Sequence, residues 1–99
     1  MIRPIDNALI DAVADNDTQK VRELLEQGAN PNIVIDDALI TPLHFAAQNN
    51  AREIALLLYT AGADLNSMTD DGETPIDIAK EFGHSALAQL LLKLKNQNH

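Results

Sequence analysis

The sequence predicts an all-α fold, a short solenoid of three stacked helix pairs. Three observations carry this reading. First, Ile40-Thr41-Pro42-Leu43-His44-Phe45-Ala46-Ala47 is echoed by Glu73-Thr74-Pro75-Ile76-Asp77-Ile78-Ala79-Lys80, displaced by 33 residues. An echo at fixed spacing marks a repeated supersecondary unit. Second, apolar residues recur at helical spacing in six short segments separated by Asn- and Gly-containing breaks. Third, the chain has no cysteine, so neither disulfides nor thiolate metal sites hold it together, and stability must come from packing.

The elements follow in order. Residues 1–6 read as a lead-in. From Asp6 a helix presents Leu9, Ala12 and Val13 on one face until Asp15-Asn16-Asp17 breaks it. A second helix runs from about Thr18 to Gln27 with Val21, Leu24 and Leu25 as its apolar stripe. Gly28 closes it in the left-handed conformation that glycine tolerates, and Ala29-Asn30-Pro31-Asn32 forms the exit turn. In the next copy Thr41 caps free amides of the first turn. Pro42 takes the first helical position, where its missing N–H costs nothing. Leu43, Ala46 and Ala47 face inward, Asn49-Asn50 interrupts, and Ile54, Leu57 and Leu58 form the following stripe, which ends at Gly62-Ala63-Asp64-Leu65-Asn66.

The third copy opens on Thr74 and Pro75, buries Ile76 and Ala79, breaks at Gly83-His84 and resumes with Leu87, Leu90 and Leu91. Lys93 and Lys95 complement the negative end of that last helix, and Asn96-Gln97-Asn98-His99 is expected to fray. The units are therefore about 6–35, 36–68 and 69–95, with a tail at 96–99, in one domain spanning 1–99. Leu9 to Leu43 is 34 residues and Leu43 to Ile76 is 33, so one extra residue lies between Asn32 and Thr41. Such helix pairs cannot bury their apolar faces alone, and about three copies are the practical minimum. The end copies are polar on their outer sides: Asp11, Glu23 and Glu26 mark the first, and Lys80 replaces the second alanine in the third.

Composition narrows the function. Fifteen acidic residues against seven basic ones give a formal charge of −8, which argues against nucleic acid or an anionic membrane as partner. No apolar run approaches the ~20 residues of a membrane span, and Met1-Ile2-Arg3-Pro4-Ile5-Asp6 lacks the apolar segment of a signal peptide. The expected setting is the cytoplasm. His44, His84 and His99 fall on separate units without metal-ligand spacing. Asp64-Leu65-Asn66-Ser67-Met68 starts like a calcium loop, but Met68 holds a ligand position and the required glycine is missing. No nucleophile stands beside a base, and no glycine-rich phosphate loop occurs. The carboxylate pairs Asp36-Asp37 and Asp70-Asp71 lie on exposed turns without an apolar pocket to raise a pKa. Neither catalysis nor a cofactor or metal is expected.

The stretch Thr41-Pro42-Leu43-His44-Phe45-Ala46-Ala47, followed by Ile54, Leu57-Leu58 and Gly62-Ala63-Asp64-Leu65-Asn66, resembles an ankyrin repeat almost residue for residue. Asp71-Gly72-Glu73-Thr74-Pro75, with Ile78-Ala79 and Phe82-Gly83-His84, resembles the start of a terminal ankyrin repeat. The first copy lacks Thr-Pro but keeps Gly28-Ala29-Asn30-Pro31-Asn32, and the resemblance covers about residues 6–94. It implies an L-shaped, all-α ankyrin-repeat solenoid of antiparallel helix pairs, with β-hairpin fingers between repeats. It also implies non-covalent binding of other proteins through finger tips and the concave face of the first helices, with Thr41 and His44 bracing neighbouring repeats. One finger departs from the pattern. Gly72 stands two residues before Thr74, but Leu39 stands two before Thr41, and leucine is strained at positive φ. That turn is therefore expected to close differently, helped by the inserted residue.

Three constellations stand out as partner-binding candidates. Val34 to Ile40 reads as two apolar arms around an Asp36-Asp37 tip, placing Ile35, Ala38 and Ile40 where exposed aliphatics mark contact surfaces; the alternative is that Ile35 and Ile40 pair across the finger. No Lys or Arg falls between Arg22 and Arg52 or between Arg52 and Lys80, and those gaps hold Asp36, Asp37, Asp70, Asp71 and Glu73. The finger edge should be acidic and attract a basic or donor-rich face, unless the acids serve only solubility. Positions just beyond the inward faces, Ala14 and Asp15, Gln48 and Asn49, Glu81 and Phe82, should line the concave side. There Phe82 is either a hot-spot aromatic or a packing residue, and His84 is expected to bond loop backbone. The function read from the sequence is a monomeric, non-catalytic module that binds another protein. An inhibitor or immunity-type protein blocking a basic toxin or enzyme, and a self-associating structural protein, are the alternatives.

Overall fold

The computed structural model describes residues 2–97. Six helices follow one another: α1 Pro4–Ala14, α2 Thr18–Glu26, α3 Pro42–Gln48, α4 Arg52–Thr60, α5 Pro75–Glu81 and α6 Ser85–Gln97. Among the described residues there is no strand. Each odd-numbered helix packs on the helix that follows it, α1, α3 and α5 lie side by side, and α2 packs on α4. Within each pair the reversal uses one left-handed residue at the same place: Asn16 (φ 58°), Asn50 (φ 56°) and Gly83 (φ 78°). Asparagine tolerates that conformation better than other side chains. Pro42 and Pro75 open α3 and α5 as expected, but the Thr41 hydroxyl bonds the His44 ring rather than a first-turn amide. Thr74 accepts the Asp77 N–H at 3.2 Å while Asp77 accepts the Thr74 N–H at 3.1 Å, a reciprocal cap.

One aliphatic core runs through the stack. Leu9, Val13, Leu43, Leu58 and Leu91 are fully buried, and Ala46, Ala47, Ala55 and Ala79 are buried completely between helices that approach closely. The expected stripes need correction at three leucines. Leu25, Leu57 and Leu90 are only half-buried, and the inner faces of α4 and α6 are completed instead by Ala55 and Ala88. In so short a helix the face against the inner layer is narrow, and alanine lets it press closer than leucine would.

Helix α1 begins at Pro4, earlier than the expected Asp6, because Arg3 is extended and Pro4 occupies a first-turn position. Helix α6 continues through Gln97, so Asn96 and Gln97 are helical rather than frayed; Asn98 and His99 lie outside the described residues.

The early start places Asp6 in a buried position where it ties the first loop. Arg3 Nε and Nη2 donate to Asp6 Oδ2 and Oδ1 at 2.9 and 3.0 Å, and Arg3 Nη2 also donates to Gly28 O at 3.3 Å. Asp6 Oδ1 accepts the Asn30 N–H at 2.7 Å. One repeat later a single amide does the same work: Asn32 Nδ2 donates to Gly62 O at 3.0 Å and Asn32 Oδ1 accepts the Asp64 N–H at 2.8 Å. The Arg3–Asp6 ion pair thus takes the part that Asn32 plays at the next junction. Hydrogen bonding from Arg3, then from the Asn30 amide, holds the Asp6 carboxyl below the usual carboxylate range.

The fingers are tight turns, not the β-hairpins expected. In the first, the only bridge is Ile35–Ile40, with the Ile35 N–H donating to Ile40 O at 2.7 Å. In the second, the Thr69 N–H donates to Glu73 O at 2.9 Å. Leu39 overturns the expectation of a different closure. It takes φ 59°, close to the 81° of Gly72, and Asp36 is also left-handed at 50°. The geometry of the turn demands a left-handed residue whatever its side chain, and leucine meets that demand at a cost of about 1 kcal/mol. Asp36 helps by accepting the Ala38 N–H at 2.8 Å, and the Asp70 N–H straps the two fingers together through Ala38 O at 2.9 Å.

Candidate functional site

The angle between the fingers and helices α3 and α5 encloses a groove of about 320 Å³. Its frame is set by His44, buried in the first turn of α3. His44 Nδ1 accepts the Thr41 N–H at 3.0 Å and lies 2.8 Å from Thr41 Oγ1, while Nε2 is 3.0 Å from both Ser67 O and Glu73 O. Carbonyl oxygens only accept, so the proton sits on Nε2 and is shared between them. Burial lowers the His44 pKa, opposed in part by those two carbonyls, and the neutral ring clamps both ends of the second finger to α3.

The floor of the groove is Ile40, Phe45 and Ile78, its wall is Phe82, and its rim carries Asp70, Asp71, Glu73 and Glu81. Phe82 is 50% exposed, so it is no core residue. Its ring lies 6.4 Å from the His84 ring at an interplanar angle of 25°. His84 Nε2 in turn is 3.0 Å from Gln48 O; its partner is therefore the last residue of the preceding repeat's inner helix, not its own loop. Among the described residues no Lys or Arg lines the groove. Lys80, next in the chain to Glu81, borders a separate hollow at the end of the stack with Ser85, Ala88 and Leu92. The crowding shows in Glu73, whose pKa is raised by hydrogen bonding with the Glu81 carboxyl, then by burial and by the charges of Glu81, Asp71 and Asp77. Asp77 moves the other way, held low chiefly by the Thr74 amide.

Of the residues singled out from the sequence, Ala38, Ile40, Gln48, Asp70, Asp71, Glu73, Glu81 and Phe82 line this groove. Ile35, Asp36 and Asp37 belong to the first finger and Asn49 follows α3 as its C-cap, outside the lining. Ile35 and Ile40 pair across the finger, the alternative weighed for them. The floor residues Phe45 and Ile78 were missed. They stand at the same position of successive repeats, 33 residues apart, as do Gln48 and Glu81; following the strip one turn back along α3 and α5 would have found them. A larger hollow of about 460 Å³ lies between α2 and α4, lined by Leu25, Leu56 and Leu57. Arg22 offsets Glu26 and Glu53 there, so it has none of the one-signed field of the groove. Among the described residues no group of three or more His, Asp and Glu is arranged to hold a metal ion, and no helix is long and apolar enough to cross a membrane.

The family model for ankyrin repeats in three copies matches residues 9–99. The chain belongs to the ankyrin-repeat family. Among its relatives, the ARF GTPase-activating protein Git of Drosophila melanogaster is 44% identical over 69 residues, covering 69% of this chain and 9% of that protein. The 2-5A-dependent ribonuclease of Mus musculus is 42% identical over 74 residues, covering 75% of this chain and 10% of the relative. The cyclin-dependent kinase inhibitor 2A of Monodelphis domestica is 37% identical over 68 residues, covering 69% of this chain and 40% of the relative. The chain thus spans about a tenth of the first two relatives. Ankyrin repeats are in general protein-interaction modules, and the groove lies where the inner helices of this ankyrin stack meet its fingers.

Proposed function

We propose that this protein is a non-catalytic binding module whose partner is another protein with a basic or donor-rich face, received by the groove and the acidic finger edge. The observation that carries the reading is a one-signed surface over an apolar floor. Four carboxylates rim Ile40, Phe45, Ile78 and Phe82 without a lining cation. An apolar centre supplies contact area and the rim supplies orientation and faster encounter. Because helices and fingers are preformed, little ordering cost opposes association. The acids at the first finger tip, Asp36 and Asp37, extend the same field outward.

The test compares partner capture by the native protein with capture by a variant in which Asp70, Asp71, Glu73 and Glu81 become Asn or Gln, at low and moderate salt. Loss of capture in the variant and in the native protein at raised salt is the expected result; equal capture in all arms removes the reading. A narrower form is an inhibitor that blocks a basic site on its target. The similarity to a kinase inhibitor, of which this chain spans 40%, favours it over self-association. One-to-one stoichiometry with loss of the target's activity distinguishes it.

A further inference from the structure

We infer that the groove selects an arginine side chain, carried on an extended segment of the partner, which lies against the face of Phe82 and is forked by Glu73 and Glu81. This rests on the reading of the groove as the binding surface and deepens it. The size argues for a side chain. At about 320 Å³ the groove is at the small end of ligand sites, a size that one long side chain fills. The chemistry of its walls argues for which one. Phe82 leaves half of its surface open and is backed by the His84 ring, itself held on Gln48 O, so an aromatic face is presented on a braced support. Glu81 is its chain neighbour, and Glu73 lines the same groove, near enough to the Glu81 carboxyl for its own pKa to be raised by it. The only ion pair among the described residues is Arg3–Asp6 at the far end of the stack, so none of the rim carboxylates is in an ion pair there.

A guanidinium answers all three features at once. It is planar and stacks on an aromatic face, it presents a fork of donors to two neighbouring carboxylates, and it is less strongly hydrated than an ammonium. A lysine would satisfy the charge but neither the fork nor the ring. The apolar floor of Ile40, Phe45 and Ile78 receives the methylene stem and an adjoining aliphatic residue.

The experiment titrates the isotope-labelled protein with N-acetyl-arginine amide and, separately, N-acetyl-lysine amide, following backbone amide shifts. Expected are saturable shifts confined to Phe45, Glu73, Glu81, Phe82 and their neighbours, with arginine half-saturating at a concentration at least about threefold lower than lysine. In Phe82→Leu the preference should vanish while weak binding of both persists. In the Glu73→Gln, Glu81→Gln double variant both titrations should be lost, with an unchanged amide spectrum elsewhere showing that the fold is kept. Equal affinity for the two amides at the groove overturns the selection of arginine but leaves the acidic groove standing as a binding surface. Shifts spread over Asp11, Glu23 and Glu26 as strongly as over the groove, or no groove shifts at all, overturn this inference and the groove reading together.

Discussion

In the second finger Gly72 turns the chain at φ 81°, and His44 holds the two ends of the loop through the carbonyls of Ser67 and Glu73. In the first finger Leu39 makes the matching turn at φ 59°, and the position of His44 one repeat earlier is Ile10, which has no hydrogen bond to offer. The first finger is therefore strained and unclamped, and it is steadied from the side by the Asp70 amide on Ala38 O. The difference shows an order of dependence. The second finger rests on the helices, and the first rests on the second. Because Asp70 sits both in that strap and on the groove rim, the rim inherits whatever firmness His44 provides.

The bluntest way to break this comparison is Leu58→Ala. It opens a cavity in the shared aliphatic core and should cost about 3 kcal/mol, lowering the urea midpoint of the whole stack, whereas Leu57→Ala, at a half-buried site, should cost clearly less. Equal losses would refute the inner-face assignment. Next comes His44→Ala, which strands the Thr41 amide and the Ser67 carbonyl, leaves Glu73 O with the Thr69 amide alone, and should cost about 2–3 kcal/mol. Hydrogen exchange should show the second finger opening and the first following it; if the first keeps its protection, the strap is not what holds it. Exchanging the turn residues sharpens the contrast further. Gly72→Leu should destabilise by about 1–2 kcal/mol and Leu39→Gly should stabilise by up to about 1 kcal/mol, and a destabilising Leu39→Gly would show that leucine makes a contact worth more than its strain.

The smallest effect is the pH response. His44 has a folded pKa below its ordinary value near 6.5. Above that pH it is neutral in both states and its contribution is intact. As pH falls below about 6.5 the unfolded chain takes up the proton more readily and stability declines. Asp6 and Asp77, both depressed, add a loss of the same sign at lower pH. Glu73 is raised and acts oppositely, its contribution present under acid and lost as pH rises through its folded value. Urea midpoints between pH 7.5 and 5.5 that fall in the native protein but stay level in His44→Ala would confirm the assignment. A level native profile would exclude it.

What the sequence made legible is what depends on near neighbours. Thr41-Pro42 and Thr74-Pro75 announced two helix starts, and Asn16, Asn50 and Gly83 announced the reversals, because capping and left-handed turns are decided within a few residues. Most of the groove was also readable, since the charge gap around Asp70, Asp71 and Glu73 and the strip at Gln48 and Glu81 are properties of the linear pattern. The failures come from choices made by tertiary packing. Whether Ala55 or Leu57 faces inward is decided by how near α4 can come to α3. That Leu39 would accept a left-handed backbone follows from its finger having to turn where its neighbour turns. Asp6 could not be seen as a loop anchor, because its partner Asn30 is 24 residues away.

The tie at that anchor differs in kind from the one at the next junction, and the difference extends to solution conditions. The Gly28–Asn30 loop is fastened through a guanidinium and a carboxylate, the Gly62–Asp64 loop through a neutral carboxamide. Added electrolyte screens the first fastening and leaves the second untouched, so the stack has one ionic rung and one non-ionic rung. Concentrated brine would therefore loosen the α1 end of the stack before the second junction.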